Sequence, residues 1–185
     1  MKRKIILKGK LVTLRPLSLK DAPNLCRWLS DPELTEFLTR WRHFGPPSLS
    51  EERNWIKKNK EISHDANFSI DAADGAHIGS VSLKNIDRLD KNAEFGIFIG
   101  DKKYWGQGCG TEAGRLIINY GFKKLKLRLI YLRYIAFNIR GEKSYKKLGF
   151  KPAGRIRRLL ELDGFFHDQC WMDLLKEEFY NTIKR

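Results

Sequence analysis

Three glycines stand at alternate positions, Gly106, Gly108 and Gly110, directly before a segment with the apolar spacing of an amphipathic helix. Glycine allows positive φ angles and close backbone approach to a ligand. A helix beginning near Thr111 would turn its free N–H groups and the positive end of its dipole toward this loop. The loop therefore suits an anionic phosphate, although glycine-rich turns before helices also serve as plain connectors.

The residues around this loop do not match two common nucleotide-binding motifs. A P-loop requires a lysine directly before Thr111, where the sequence has Gly110. The segment "GCGTEA" fits the dinucleotide pattern GxGxxA, but that pattern needs a carboxylate about 20 residues later to hold a ribose hydroxyl. No Asp or Glu occurs between Glu112 and Glu142. The residues thus favour a phosphate-bearing ligand held by backbone donors.

Neither the histidines nor the cysteines have the spacing of a metal site. The four histidines are isolated from one another, without an HxxxH or HExxH pattern: His43, His64, His77 and His167. Three scattered cysteines, Cys26, Cys109 and Cys170, are typical of free thiols in a reducing compartment. Cys109 lies near a helix start, where a thiol pKa can fall, but no histidine lies close to it in sequence. We expect neither a metal nor a covalent cysteine intermediate.

Composition indicates one globular domain over residues 1–185, with the basic residues 1–8 as a flexible terminus. The apolar runs are too short for a membrane span, and the N-terminus lacks a signal-peptide core, so we expect a cytoplasmic protein. The formal charge of +14, from 36 Lys and Arg against 22 Asp and Glu, should attract polyanions. A solvated basic surface without a specific partner explains the same charge equally well.

The periodicity predicts an α/β sandwich around one mixed sheet. A strand (Gly9–Leu17) leads into a helix begun at Ser18, a short helix covers "DPELTEFLT", and Ser50 caps a second main helix. A hairpin from Asn67 turns at Asp74 and Gly75, and "KNAEFGIFIGD" adds a strand. The remaining elements are predicted in this order: a helix from about Thr111 to Lys124, a strand "LRLIYLRYIAF", a helix Ile139–Leu148 ended by Gly149, two strands joined at Asp163 and Gly164, and a C-terminal helix.

Several segments together resemble one known superfamily. "YWGQGCGTEA" is similar to the pyrophosphate-binding loop of the GNAT N-acetyltransferases, with Trp105 where Arg or Gln is common. An aromatic residue at this position resembles the pattern of the ribosomal-protein N-terminal (RimJ/RimL-like) acetyltransferase branch. The resemblance extends from Gly9 onward and includes "WLSDPELTEFLT", "NAEFGIFIG", "NIRGEKSYKKLGFKPAGRIRR" and "DGFFHDQCWMDLL".

This resemblance implies a GNAT-like fold: a mostly antiparallel mixed sheet with helices on both faces and a splayed central strand pair. It implies transfer of an acetyl group from acetyl-CoA to a primary amine by direct attack in a ternary complex. The residues expected to bind acetyl-CoA are Ile97, Phe98, Ile99, Trp105, Gly106, Gln107, Gly108, Cys109, Gly110, Thr111 and Asn138. The backbone of residues 97–99 would pair with the pantetheine arm and offer an oxyanion donor.

Acetyl transfer requires a neutral amine, a stabilised oxyanion and a proton for the departing thiolate. By resemblance, Glu94 is the candidate base, and Tyr145 is the candidate acid, with a phenol pKa of about 10. Asn138 by resemblance bonds the pantetheine. Each residue also has a structural interpretation: Glu94 as a solvating strand residue, Tyr145 as a packed helix residue and Asn138 as a helix N-cap.

The resemblance leaves the identity of the acceptor open, because a protein N-terminal amine, a polyamine, an amino acid and an aminoglycoside all agree with it. The acceptor pocket is expected between the first two helices, the loop Arg40–Ser50 and the last hairpin. A contact with a ribosomal protein or rRNA would use the basic surface, and the alternative function is an RNA- or ribosome-associated binding module without catalysis. The sequence leaves monomer and homodimer both open.

Overall fold

A computed structural model describes residues 6–38, 44–61 and 65–183. His43, His64 and the first part of the loop Arg40–Ser50 lie outside the described residues. The described strands are β1 (Leu7–Lys8), β2 (Val12–Pro16), β3 (Ala66–Ala72), β4 (His77–Asp87), β5 (Asn92–Ile99), β6 (Leu129–Ile135), β7 (Lys151–Leu162) and β8 (Phe165–Leu175). The described α-helices are α1 (Ala22–Leu29), α2 (Pro32–Thr35), α3 (Leu49–Glu61), α4 (Cys109–Lys123), α5 (Ile139–Leu148) and α6 (Lys176–Ile183).

All eight strands join one sheet in the order β1-β2-β3-β4-β5-β6-β8-β7. Neighbouring strands are antiparallel except β5 and β6, which are parallel. This pair is in register only at its start, and its last matched residues are Glu94 and Tyr131. The two strands then separate, which confirms the predicted splayed pair and leaves one edge of residues 95–99 without a neighbouring strand.

Local signals explain most element boundaries. Gly75 turns the β3–β4 hairpin at φ +86°, and Gly149 ends α5 at φ +96°, both in the left-handed region that favours glycine. Ser18 forms a capping box with Asp21 at the short 3-10 helix Leu19–Asp21 that precedes α1.

One predicted cap differs from the structure. The cap of α3 is Ser48 and not Ser50, because the backbone N–H of Glu51 donates to the Ser48 hydroxyl while the Ser48 N–H donates to the Glu51 carboxylate. In the N-terminal segment predicted to be flexible, Leu7 and Lys8 form β1 and pair with β2.

Helices cover both faces of the sheet, as predicted. On one face, α4 buries Ala113, Ile117, Ile118 and Phe122 against the strands. On the other, Leu25 and Trp28 of α1 cluster with Leu34 of α2 and Ile56 of α3. These two layers fix the positions of the helix starts and strand edges that surround the splay.

Glu112 fastens the first turn of α4 to the N-terminal hairpin. Its carboxylate accepts hydrogen bonds from the backbone N–H groups of Lys10, Leu11 and Val12, at 3.0, 2.7 and 2.8 Å. Three charge-assisted bonds on one side chain hold the helix start in a fixed place. None of the helices in the described ranges combines the length and apolar character needed to cross a bilayer.

Candidate active site

The separation of β5 and β6 opens a crevice of about 830 Å³. Strand β5, the loop before α4 and helix α5 line one part of it, and helices α1, α2 and α3 line the other. Most of the predicted site residues meet there: Glu94, Ile97, Phe98, Ile99, Trp105, Gly106, Gly108, Gly110, Thr111, Asn138 and Tyr145. Gln107 and Cys109 do not line the crevice.

The free edge of β5 presents selected backbone groups to the crevice. The Ile99 carbonyl accepts a hydrogen bond of 2.9 Å from the Trp105 indole N–H, so the Ile99 backbone points away from β4. Because backbone direction alternates along an antiparallel strand, Ile97 points the same way, and Phe98 points toward its β4 partner Ser80. The expectation that all three residues offer backbone groups to a ligand is therefore corrected for Phe98. Its ring packs edge-on against Trp28, with centroids 6.2 Å apart.

The glycine loop ends in an uncapped helix start. Gly106 and Gly108 have φ values of +76° and +85°, and Gly108 is the N-cap of α4 without a side-chain hydrogen bond to the helix. The first N–H groups of α4 have no helical partner by geometry. A Cβ on Gly110 would meet Ile99 Cγ1 at 3.4 Å, so the helix start lies close against β5. This cradle of backbone donors suits a diphosphate.

Two predicted loop residues have other roles in the described structure. The Gln107 amide donates to the Lys103 carbonyl on the exposed surface. The Cys109 side chain is buried in the core, and burial raises the pKa of its thiol. A buried thiol with a raised pKa is a poor nucleophile at neutral pH. Only the backbone of these residues remains available to a ligand.

A row of cations on α5 borders the crevice beside this loop. Arg140, Lys143 and Lys147 follow helical spacing, and all three line the crevice. The Arg140 guanidinium lies 3.7 Å over the Trp105 ring, and burial lowers its pKa. This row was not predicted, although the helical spacing of its three basic residues indicates it.

Glu94 lies where the two strands separate, and its carboxylate is paired with a cation. Arg133 Nε and Nη2 donate to Glu94 Oε1 and Oε2 at 2.9 and 3.1 Å. The Asn85 amide donates to Oε2 at 3.3 Å. Arg133 also lies 5.3 Å from the Trp171 ring centroid. Arg133 was not predicted, because its contact with Glu94 joins two strands that lie far apart in sequence.

Tyr145 lies in an aromatic cluster at the crevice wall. Its ring centroid is 6.3 Å from that of Phe95, 6.4 Å from Phe150 and 5.7 Å from Tyr134. Burial raises the pKa of Tyr145 to about 12. Within the described residues its hydroxyl has no hydrogen-bond partner, so the phenol keeps its proton available to a bound molecule.

Asn138 is a helix N-cap, which is the structural role that the sequence also allowed for it. Its Oδ1 accepts a hydrogen bond of 2.8 Å from the Gly141 N–H, which makes it the N-cap of α5. The side chain also lines the crevice, and its Nδ2 donors are not used by this cap. Asn138 can therefore cap the helix through Oδ1 and contact a ligand through Nδ2 at the same time.

Comparisons with known proteins agree with this geometry. Residues 12–151 match the family described as "Acetyltransferase (GNAT) domain". The chain is 30% identical over 173 residues to "Putative ribosomal N-acetyltransferase YdaF" of Bacillus subtilis, covering 91% of this chain and 93% of that protein. It is 31% identical over 168 residues to "Spermidine N(1)-acetyltransferase" of Escherichia coli, covering 91% of this chain and 88% of that protein.

A solved structure supports the fold. Spermidine N-acetyltransferase from Vibrio cholerae, in complex with CoA and spermine, superposes with a TM-score of 0.84 at 23% identity, covering 94% of this chain and 100% of that one. The predicted enzyme class and acetyl donor are confirmed by the matched family. The chain belongs to the GNAT acetyltransferase family and is an acyltransferase that uses acetyl-CoA as its acetyl donor.

Proposed function

We propose that this protein transfers the acetyl group of acetyl-CoA to a primary amine by direct attack in a ternary complex. One observation carries the proposal: a single crevice joins the free edge of β5, the uncapped start of α4 and the side of α5 that carries Tyr145. Those three features supply a pantetheine edge, a diphosphate cradle and a proton donor.

The proposed binding of the donor divides among three parts of the chain. The α4 N-terminus and the glycine loop hold the diphosphate through backbone N–H groups. Arg140, Lys143 and Lys147 offset its remaining negative charge. The backbone of Ile97 pairs with the pantetheine arm in the manner of an added strand, and Asn138 contributes its free amide donors. This arrangement directs the thioester toward Glu94 and Tyr145.

The proposed chemistry uses one proton acceptor and one proton donor. Glu94, directly or through a water molecule, takes a proton from the amine, whose nitrogen then forms a bond to the acyl carbon. A backbone N–H on the free edge of β5 stabilises the negative charge that develops on the acyl oxygen. The carbon–sulfur bond breaks, Tyr145 donates its proton to the departing thiolate, and the resulting tyrosinate takes the second proton of the attacking nitrogen, which leaves a neutral amide.

The class of acceptor is proposed as a primary amine on a small molecule or a protein N-terminus. The names of the relatives include both kinds, a spermidine acetyltransferase and a putative ribosomal acetyltransferase. The charge of +14 supports transient contact with rRNA if the acceptor is a ribosomal protein of the RimL-like kind. Three free thiols support a cytoplasmic location.

An acceptor panel tests the proposal. The purified protein is incubated with acetyl-CoA and, separately, with aliphatic amines, amino acids, an aminoglycoside and N-terminal peptides of ribosomal proteins. Release of free thiol and the mass of the acetylated product are measured together. Acetyl-CoA binding with acetylation of at least one amine supports the function. Salt-sensitive RNA binding without acetyl-CoA binding would instead support the binding-module alternative.

A further inference from the structure

Two buried polar side chains of the described chain lack a partner inside the protein. Five polar or charged side chains are buried there: Asp21, Thr35, Glu52, Ser69 and Ser82. Asp21 binds Arg15 and accepts from Ser69, and Thr35 donates to a backbone carbonyl. The side chains of Glu52 and Ser82 form no hydrogen bond or ion pair within the described residues. Both of them line the crevice.

An unpartnered buried carboxylate is costly, because the ionised form loses its hydration without gaining a cation. Glu52 is only 4% exposed, and burial raises its pKa. The titratable group that faces it from α1 is Cys26, whose thiol pKa is raised by burial and by the charge of Glu52. Since no described cation offsets this carboxylate, its natural partner is a positive charge that enters the crevice from outside.

An aromatic ring stands beside this carboxylate. Trp55 follows Glu52 by three residues on α3, so both lie on the same side of the helix. Trp55 lines the crevice with 40% of its surface exposed. A carboxylate with an accessible indole one turn away is a suitable combination for an ammonium group, which gains from both the charge and the ring face.

The position of Ser82 connects this cluster with the reacting end of the crevice. Ser82 of β4 pairs with Gly96 of β5. Two residues further along β4, and therefore on the same face of the sheet, Lys84 pairs with Glu94. The walls between α1, α2 and the sheet are mostly apolar, with Leu25, Leu29, Leu34, Phe37 and Leu38 lining the crevice. The carboxylate of Glu33 on α2 also lines it, but this group is paired with Lys102. An acceptor that spans this region therefore needs an aliphatic middle and a cationic far end.

We propose that Glu52, Ser82 and Trp55 form a cation subsite that binds a second, non-reacting ammonium group of the acceptor. The preferred acceptor is then an aliphatic amine with a second positive charge, such as a diamine or polyamine. This assignment of the acceptor rests on the proposed acetyl transfer, whereas binding of the cation can be measured without turnover. Glu52 determines specificity and takes no part in the bond changes.

Calorimetry with a matched pair of ligands tests the subsite. The full chain, saturated with CoA, is titrated with cadaverine and with pentylamine, which share a carbon chain and differ by one ammonium group. We expect the wild-type protein to bind cadaverine at least about tenfold more tightly, since a charge-assisted contact is added. Glu52→Gln should remove this preference. Glu36→Gln, at an exposed position outside the crevice, should retain it.

Kinetics on the same variants separates specificity from chemistry. Glu52→Gln should raise KM for cadaverine by about tenfold, with kcat changed less than about twofold and the KM of acetyl-CoA unaltered. Thermal unfolding and CoA binding verify that the variant folds, and Ser82→Ala, which should weaken the preference less, gives a second test. Equal binding of cadaverine and pentylamine by the wild-type protein, or an undiminished preference in Glu52→Gln, overturns the inference.

The outcomes distinguish this inference from the proposed function. Diamine preference without acetylation of any amine would contradict the proposed function and keep the subsite. Acetylation of amines with the same preference in wild type and Glu52→Gln would contradict the subsite alone. Selective acetylation of ribosomal peptides, without discrimination between cadaverine and pentylamine, would likewise exclude the diamine acceptor.

Discussion

Arg133 binds the carboxylate of Glu94 through two hydrogen bonds, of 2.9 and 3.1 Å, beside the point where β5 and β6 separate. The pair fixes the orientation of the carboxylate at the fork of the sheet. Glu94 retains only 16% of its side-chain exposure, whereas Arg133 retains 42% and is open to solvent. The proposed proton acceptor is therefore held in place by the protein before an amine arrives.

Replacing Glu94 by Gln should lower kcat/KM at neutral pH by about 100-fold, because a positioned general base contributes at least that much. Acetyl-CoA affinity should be unchanged, since the donor is bound elsewhere in the crevice. Steady-state kinetics across the pH range and calorimetry measure the two effects. Glu177→Gln, at an exposed site on α6, is the control. A pH–rate profile identical to wild type would exclude Glu94 as the base.

Replacing Tyr145 by Phe should lower kcat by about 100-fold and leave the acetyl-CoA dissociation constant nearly unaltered. Burial raises the pKa of Tyr145 to about 12, so this group should not produce an alkaline fall in the wild-type kcat below about pH 10. Tyr120→Phe is a matched control, because Tyr120 is also partly buried but packs on Phe68 away from the crevice. Equal turnover in the two variants would reject Tyr145 as the acid.

Replacing Gly108 by Ala should weaken acetyl-CoA binding by about tenfold, through the loss of one favourable contact to the diphosphate. The φ of +85° also makes alanine strained there by about 1–2 kcal/mol. Gly75→Ala provides the control, because Gly75 has φ +86° in the β3–β4 turn with no atom within 4 Å of an added Cβ. Both variants should lose stability, as measured by urea unfolding, but only Gly108→Ala should lose acetyl-CoA affinity. Equal affinity losses would contradict the diphosphate cradle.

The raised pKa of Glu52 predicts a specific dependence of stability on pH. A carboxyl group with a higher pKa in the folded state than in the unfolded state loses its stabilising contribution as pH rises through the folded pKa. The free energy of unfolding of wild type should therefore fall relative to that of Glu52→Gln as pH increases from about 4 to 8. Urea unfolding of both proteins at several pH values measures the difference. Parallel curves would show that the Glu52 carboxyl group titrates equally in both states.

Much of the fold follows from local sequence signals. Helix α5 is predicted at Ile139–Leu148 with Gly149 as its end, and the last two strands are predicted to join at Asp163 and Gly164; the structure has this helix and this hairpin turn. These elements have strong capping residues or turn residues at their ends. The cap of α3 was placed two residues late, because Ser48 and Ser50 both precede acidic residues and only the backbone decides between them.

The parts of the candidate site that are built from residues contiguous in sequence could be predicted. The glycine loop and the resemblance around it predict a cofactor cradle, and the matched segments predict roles for Glu94 and Tyr145; the structure places these residues in one crevice. The sequence did not predict the partner of Glu94, the stacking of Arg140 on Trp105 or the buried position of Glu52 at the crevice wall. Each of these depends on contacts between elements that are distant along the chain.

By itself, the sequence determined the order of strands and helices along the chain and the phosphate-suited loop. These properties depend on residue spacing and on backbone preferences within short segments. Only the tertiary structure decided that Arg133 meets Glu94, that Phe98 turns its backbone away from the crevice, and that Glu52 is buried without a cation. The physical reason is that hydrogen bonding and desolvation act between neighbours in space, and the splay of one sheet makes these residues neighbours.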